Sequence, residues 1–234
     1  MSGDLSTRRY PTKHVLELAC AAQRINKSYL KVSEPVYDAE GQYVALKNSN
    51  KDCMLYTLDH MYHRGAPQDA PVMLKILEED IAQADAIKSH FRKLLFSAIE
   101  GENEFLTSIN SILNSEEVPV NQFGYVACLP SVYLRDYSQT QVKKAAKRVS
   151  EDYLAEVGDT LHDLDCEILE CVKSKNFEGY NICATIDNKM ASWMSKYELK
   201  LGPAVLVKAK VKEHAKHWKH GNAQTRLNYV KAAQ

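Results

Sequence analysis

The sequence predicts an α+β protein: a mainly helical N-terminal domain (residues 1–149) followed by a small five-stranded β-barrel (residues 150–234). Three observations carry that prediction. Before about residue 150, apolar side chains recur at helical spacing. From Thr160 to Val230 there are instead five short apolar–polar runs separated by turn signals, the pattern of a small all-β unit. The composition changes between the two at Val149–Leu154, and 234 residues accommodate two domains.

In the N-terminal part, Pro11 or Thr12 opens a helix to Asn26, with Val15, Leu18, Ala19, Ala22 and Ile25 on its apolar face. Tyr29–Val32 and Tyr43–Leu46 flank a Gly41-bearing turn and read as a hairpin. Asn50 or Asp52 caps a second helix through Met54, Leu55, Leu58 and Met61, stopping near Gly65–Pro67. A long helix runs from Val72 to Ala98 on Leu74, Ile81, Ala84, Ile87, Phe91, Leu94 and Leu95, with Gly101 at its end. Glu102–Leu113 is a further helix. Pro119 and Gly124 break the chain before Tyr125–Leu129, and Pro130–Tyr137 reads as a turn or short helix. In Gln139–Asp152, helical spacing gathers Lys143, Lys144, Lys147 and Arg148.

The barrel strands are Leu161–Cys171, Tyr180–Ile186, Met190–Ser195, Ala204–His214 and Thr225–Val230, with Asp187–Asn188 as a tight turn. In the fourth, Val205, Val207, Ala209 and Val211 alternate with Leu206, Lys208, Lys210 and Lys212, which predicts a buried valine face and a wet lysine face. Cys166 and Cys171 should face opposite sides of the first strand. Five strands of this size match an OB-like barrel, whose groove crosses the second and third strands between the first and last hairpin loops.

Several pieces resemble the OB-fold domain of a bacteriophage single-stranded-DNA-binding-like family. They are Ser150–Asp159, with its aromatic residue followed by Val157-Gly-Asp159; Ala191-Ser-Trp-Met-Ser195; Leu201-Gly202; Val211–His214; and Thr225–Val230. The resemblance covers about residues 150–232. It implies binding of single-stranded DNA in phage replication or recombination, in the host cytoplasm. The chain departs from that family at Asp187-Asn-Lys189, where an Asp-x-Asp-Gly turn is common.

Formal net charge is zero, so a nucleic-acid site must come from local clustering of cations. Lys208, Lys210, Lys212, Lys216, Lys219 and Arg226 supply such a cluster, and Glu213 is the only acid in residues 204–234. Phosphates need cations and bases need flat side chains; Trp218, Trp193, Tyr180 and Phe177 are the candidates, with Tyr197 nearby. Lys143, Lys144, Lys147 and Arg148 would extend the groove. The lysines equally suit a solvated barrel face, and Trp193 a core position. His214, His217 and His220 lie three apart, a spacing that does not converge on a metal along a strand, so their charging at low pH is the more relevant property. His60 and His63 are similarly weak ligands.

No phosphate-binding glycine loop, nucleophile elbow or zinc-hydrolase signature is present, so neither an enzyme nor a cofactor is expected. No apolar run is long enough to span a membrane and the N-terminus lacks a signal-peptide core, which predicts a cytoplasmic protein with no membrane partner. The six scattered cysteines suit small buried residues in a reducing compartment. The expected partner is single-stranded DNA, bound in a sequence-tolerant way, with RNA as an alternative ligand. A second class of reading is an adaptor that docks on a replication, repair or host-defence protein.

Overall fold

The computed structural model describes residues 8–60, 65–97, 104–174 and 176–233. Met61, His63, Ala98, Gly101, Glu102 and the side chain of Leu95, used in the sequence reading, lie outside what it describes. The chain divides into two compact units, Met1–Leu134 and Arg135–Gln234. The division falls inside a helix, ahead of the composition shift.

In the first unit, β1 (Arg9–Pro11) pairs antiparallel with β4 (Glu117–Pro119). Between them come α1 (Thr12–Asn26), the hairpin β2 (Glu34–Tyr37)–β3 (Tyr43–Lys47), α2 (Asn50–Leu58), α3 (Glu78–Ser97) and α4 (Glu104–Asn114). Val15, Leu18, Met54, Ile87, Phe91, Ile109, Phe123 and Leu129 form its core. The hairpin's first arm lies at 34–37, not at 29–32: Leu30 is held instead by Asn50, whose Oδ1 accepts from the Leu30 N–H and from Asn26 Nδ2. α2 is capped by Ser49, whose hydroxyl accepts from the Asp52 N–H.

α3 begins at Glu78 rather than Val72, and a single buried carboxylate explains the start. Asp80 Oδ2 accepts from the Leu77 N–H at 2.9 Å, closing the first turn in the manner of a capping box. The same carboxylate takes two bonds from Arg24, at 3.0 and 2.8 Å. Asp80 is 1 % exposed, so removing its partner would strand a buried charge at about 3–5 kcal/mol.

α5 (Phe123–Ala146) corrects the sequence reading most clearly. Gly124 and Pro130 do not break it; one helix runs through both, merging three expected segments. Pro130 removes one helical hydrogen bond, but Phe123, Val126, Ala127 and Leu129 are fully buried around it, and that burial outweighs the loss. The end of α5 belongs to the second unit: Val142 and Ala145, with Val149 just past the helix, pack on Leu169, Cys183 and Met190 of the barrel.

The second unit is a closed barrel of β5 (Thr160–Lys173), β6 (Tyr180–Ile186), β7 (Lys189–Ser195), β8 (Gly202–Lys216) and β9 (Ala223–Ala232), in the order β5-β6-β7-β9-β8. Pairing is antiparallel throughout except β7 with β9, which is parallel, and β5–β8 closes the ring. This is the Greek-key order of an OB-like barrel, and the fold class is α+β as the sequence predicts. Ile168, Ile182, Ile186, Trp193, Leu206, Val211 and Leu227 fill the interior. Asp187 and Asn188 both have positive φ, 46° and 58°, as a two-residue type I′ hairpin requires. The segment before β5 is tied to the barrel: the Leu154 N–H bonds Thr225 Oγ1, and His214 Nε2 bonds the Ala155 carbonyl at 2.8 Å while its ring stacks on Tyr153.

Bulges alter two expectations. In β8 the register shifts between Leu206 and Lys208, so Leu206 is fully buried while Val205 and Val207 are 40 % and 44 % exposed. The valine face therefore holds only for Ala209 and Val211, beyond the bulge; one extra residue inverts the parity of everything before it. In β5 a shift between Ile168 and Glu170 brings Cys171 to the same barrel interior as Cys166, not to the opposite side. Among the described residues, no helix is long and apolar enough to cross a membrane.

Candidate nucleic-acid interface

A cleft of about 740 Å³ lies on the barrel unit. Its floor follows from the strand register. Glu170, Cys183, Ser192, Arg226 and Glu213 stand opposite one another in one row across β5, β6, β7, β9 and β8. Directly paired residues share a sheet face, and Cys183 packs under α5 rather than into the barrel, so this row faces outward. The neighbouring row adds Val172, Asn181 and Met194. Arg135 and Gln139, from the part of α5 that lies in this unit, form one wall.

The β8–β9 hairpin loop forms another wall, and His217 organises it. Its N–H donates to the Asn222 carbonyl and its own carbonyl accepts from Gly221, each at 2.8 Å. With the ring neutral, Nδ1 accepts from the backbone N–H groups of Lys219 and His220, both at 3.3 Å. Burial, reinforced by His220 and Lys219, pushes the His217 pKa below its ordinary value. Asn222 anchors the loop: its Nδ2 donates to the Ala146 carbonyl at 2.8 Å and to Glu151 Oε1 at 3.2 Å. The loop therefore holds Trp218 out at 88 % exposure, its ring near-parallel to His217 at 6.4 Å between centroids.

The cleft gathers four of the candidate residues: Lys212, Trp218, Arg226 and Trp193. Lys212 is the extra residue where β8 shifts register between Val211 and Glu213, which turns it to the same side as Glu213. Arg226 bonds Glu213 at 2.8 Å. Trp193 is 5 % exposed and belongs to the barrel core, reaching the cleft only at its edge. Lys208 and Lys210 lie off the cleft, opposite Lys231 and Asn228 of β9. Lys216 is exposed at the hairpin base, and Lys219 sits in the loop close enough to Glu170 to act on its charge.

Tyr180 packs against the barrel core. Phe177 lies over Gly179, where a Cβ would meet the Ser195 carbonyl oxygen at 2.4 Å and the Phe177 ring at 2.6 Å. Neither aromatic lines the cleft. Lys144 and Arg148 instead border a second, smaller hollow of about 320 Å³ with Glu167, Thr185 and Asn188, while Lys143 and Lys147 are exposed on the same stretch of chain.

Sequence reasoning missed Tyr229, Met194, Arg135, Asn181 and Glu170. Tyr229 is 76 % exposed with φ of 50°, at a point where β9 carries an extra residue between its partners Lys208 and Lys210. The left-handed φ falls at this bulge. Glu170 is half-buried, and desolvation pushes its pKa up against the opposing pull of Lys219 and His220. Among the described residues, no group of His, Cys, Asp and Glu could hold a metal ion. Burial pushes the Cys183 thiol up to about 12, far from a reactive thiolate. No family model matches the chain, and no curated protein or solved structure matches it either.

Proposed function

We propose that the barrel unit binds single-stranded nucleic acid, most simply DNA, in the cleft over β6, β7 and β9, without catalysing a reaction. One observation carries this reading: exposed Trp218 and Tyr229 border an open cleft that also presents Arg135, Lys212 and Arg226. Flat faces at about 1–3 kcal/mol per stacked base, with cations along the strand, are what a single-strand groove needs. The cleft also occupies the face and hairpin position that OB-like barrels use for such ligands. A role in phage replication or recombination rests on the resemblance of residues 150–232 alone.

The test is fluorescence anisotropy of labelled mixed-sequence oligonucleotides, DNA and RNA in parallel, at several salt concentrations. Saturable binding that weakens with salt is expected, because neutralised phosphates release counterions. Absence of saturable binding at low salt would overturn the reading and leave the adaptor class. Equal or tighter RNA binding would reassign the ligand.

A further inference from the structure

The cleft is not built as a uniformly basic groove. Its outward row ends in a carboxylate, Glu170, on β5. Among the described residues the Glu170 side chain makes no hydrogen bond or ion pair, although it is half-buried; Lys219 and His220 act on it only through their charge. A carboxylate in that position repels phosphate. It suits a donor group of the ligand, because an ionised carboxylate only accepts hydrogen bonds.

The surroundings are suited to a base rather than to a backbone. Asn181, in the adjoining row, is exposed and makes no hydrogen bond through its side chain among the described residues; Gln139 of α5 presents a second amide. Val172 and Met194 supply apolar surface for a ring, at 46 % and 65 % exposure. The cations that line the cleft stand on β8, β9 and α5, while Lys219 of the hairpin loop is near enough to Glu170 to act on its charge. Phosphates would thus follow Lys212, Arg226 and Arg135, with a base turned toward β5.

Building on the binding reading above, we infer that the cleft is base-selective: Glu170, opposite Cys183 on the β5–β6 face and beside the Asn181 amide, forms a subsite for guanine. An ionised carboxylate only accepts hydrogen bonds. Guanine alone among the four bases presents two adjacent donors, N1–H and N2–H, on its Watson–Crick edge, the edge that single-strand readers use. Thymine offers one donor between two carbonyls. Adenine and cytosine each offer an amino group beside a ring-nitrogen acceptor. Those two bases instead complement a side chain with one donor and one acceptor, which is what Glu170→Gln provides.

The experiment uses the full chain and oligo-dT carrying a single central dG, dA or dC, with plain oligo-dT as reference, read by anisotropy. The dG oligonucleotide should bind at least about fivefold tighter than the reference, the low end of what a two-bond base contact discriminates. Glu170→Gln should abolish the dG advantage and favour dA or dC; Glu170→Ala should level all four. Equal affinity of the wild-type protein for all four, or a guanine preference that survives in Glu170→Gln, overturns the inference while leaving the binding reading intact. Failure to bind any of them overturns the binding reading itself.

Discussion

Trp218→Ala separates binding from folding more cleanly than any other change in the cleft. The residue is 88 % exposed, so only about an eighth of its surface is covered. Taking roughly 250 Å² for the side chain, some 30 Å² is lost, about 0.7 kcal/mol of apolar burial. The loop does not depend on the indole, because its hydrogen bonds run through His217, Gly221 and Asn222. Denaturation midpoints of variant and parent should therefore nearly coincide. If the indole stacks on a base, its removal weakens binding by about 1–3 kcal/mol, roughly 5- to 140-fold in Kd. Anisotropy titration of a mixed-sequence single strand, alongside urea denaturation of the same preparations, reads both quantities. An unchanged Kd in a folded variant would refute the stacking argument, and a large stability loss would refute the account of the loop.

Three further outcomes follow from the same geometry. Lys212→Ala should lower the magnitude of the slope of log K against log salt by about 0.7, one phosphate on a single strand; Lys208→Ala, off the cleft, should leave that slope unchanged. Gly179→Ala places a Cβ 2.4 Å from the Ser195 carbonyl oxygen at φ of 152°, and should destabilise the barrel by about 1–3 kcal/mol in chemical denaturation. His217 titrates lower in the fold than its ordinary 6.5, so its contribution to stability is present above 6.5 and lost as pH falls through the folded-state value. His217→Asn should flatten that limb of a melting-temperature profile between pH 7.5 and 5, and an unaltered slope would count against the buried neutral ring.

The order and approximate limits of the barrel strands were legible because alternation with turn residues is a local signal; β6 was read at its observed ends. Parity within β8 was not legible ahead of the bulge. Nothing in Val205–Val207 marks an extra residue, and the insertion is set by pairing with Ala232 and Lys231 far along the chain. The same cause hid Tyr229, whose direction depends on a register shift in β9. α5 was misread for the opposite reason: Gly124 and Pro130 are strong local punctuation, and tertiary burial overrode them. In the cleft, Trp218 stood out as a large aromatic in a polar loop. Glu170 did not, since a lone carboxylate in an alternating strand reads as a solvated position until its row-mates are known.

The last turns of α5 also determine where the barrel can be cut free. Leu169, Cys183 and Met190 form an apolar patch on its outside, covered by Val142, Ala145 and Val149. A fragment starting at residue 150, where the composition changes, would carry that patch bare, and exposed apolar surface of this kind drives association. One starting at Arg135 would bring its own cover, and with it the Ala146 carbonyl that moors Asn222. The compact unit of this chain is thus a barrel together with the tail of a helix whose head serves another core.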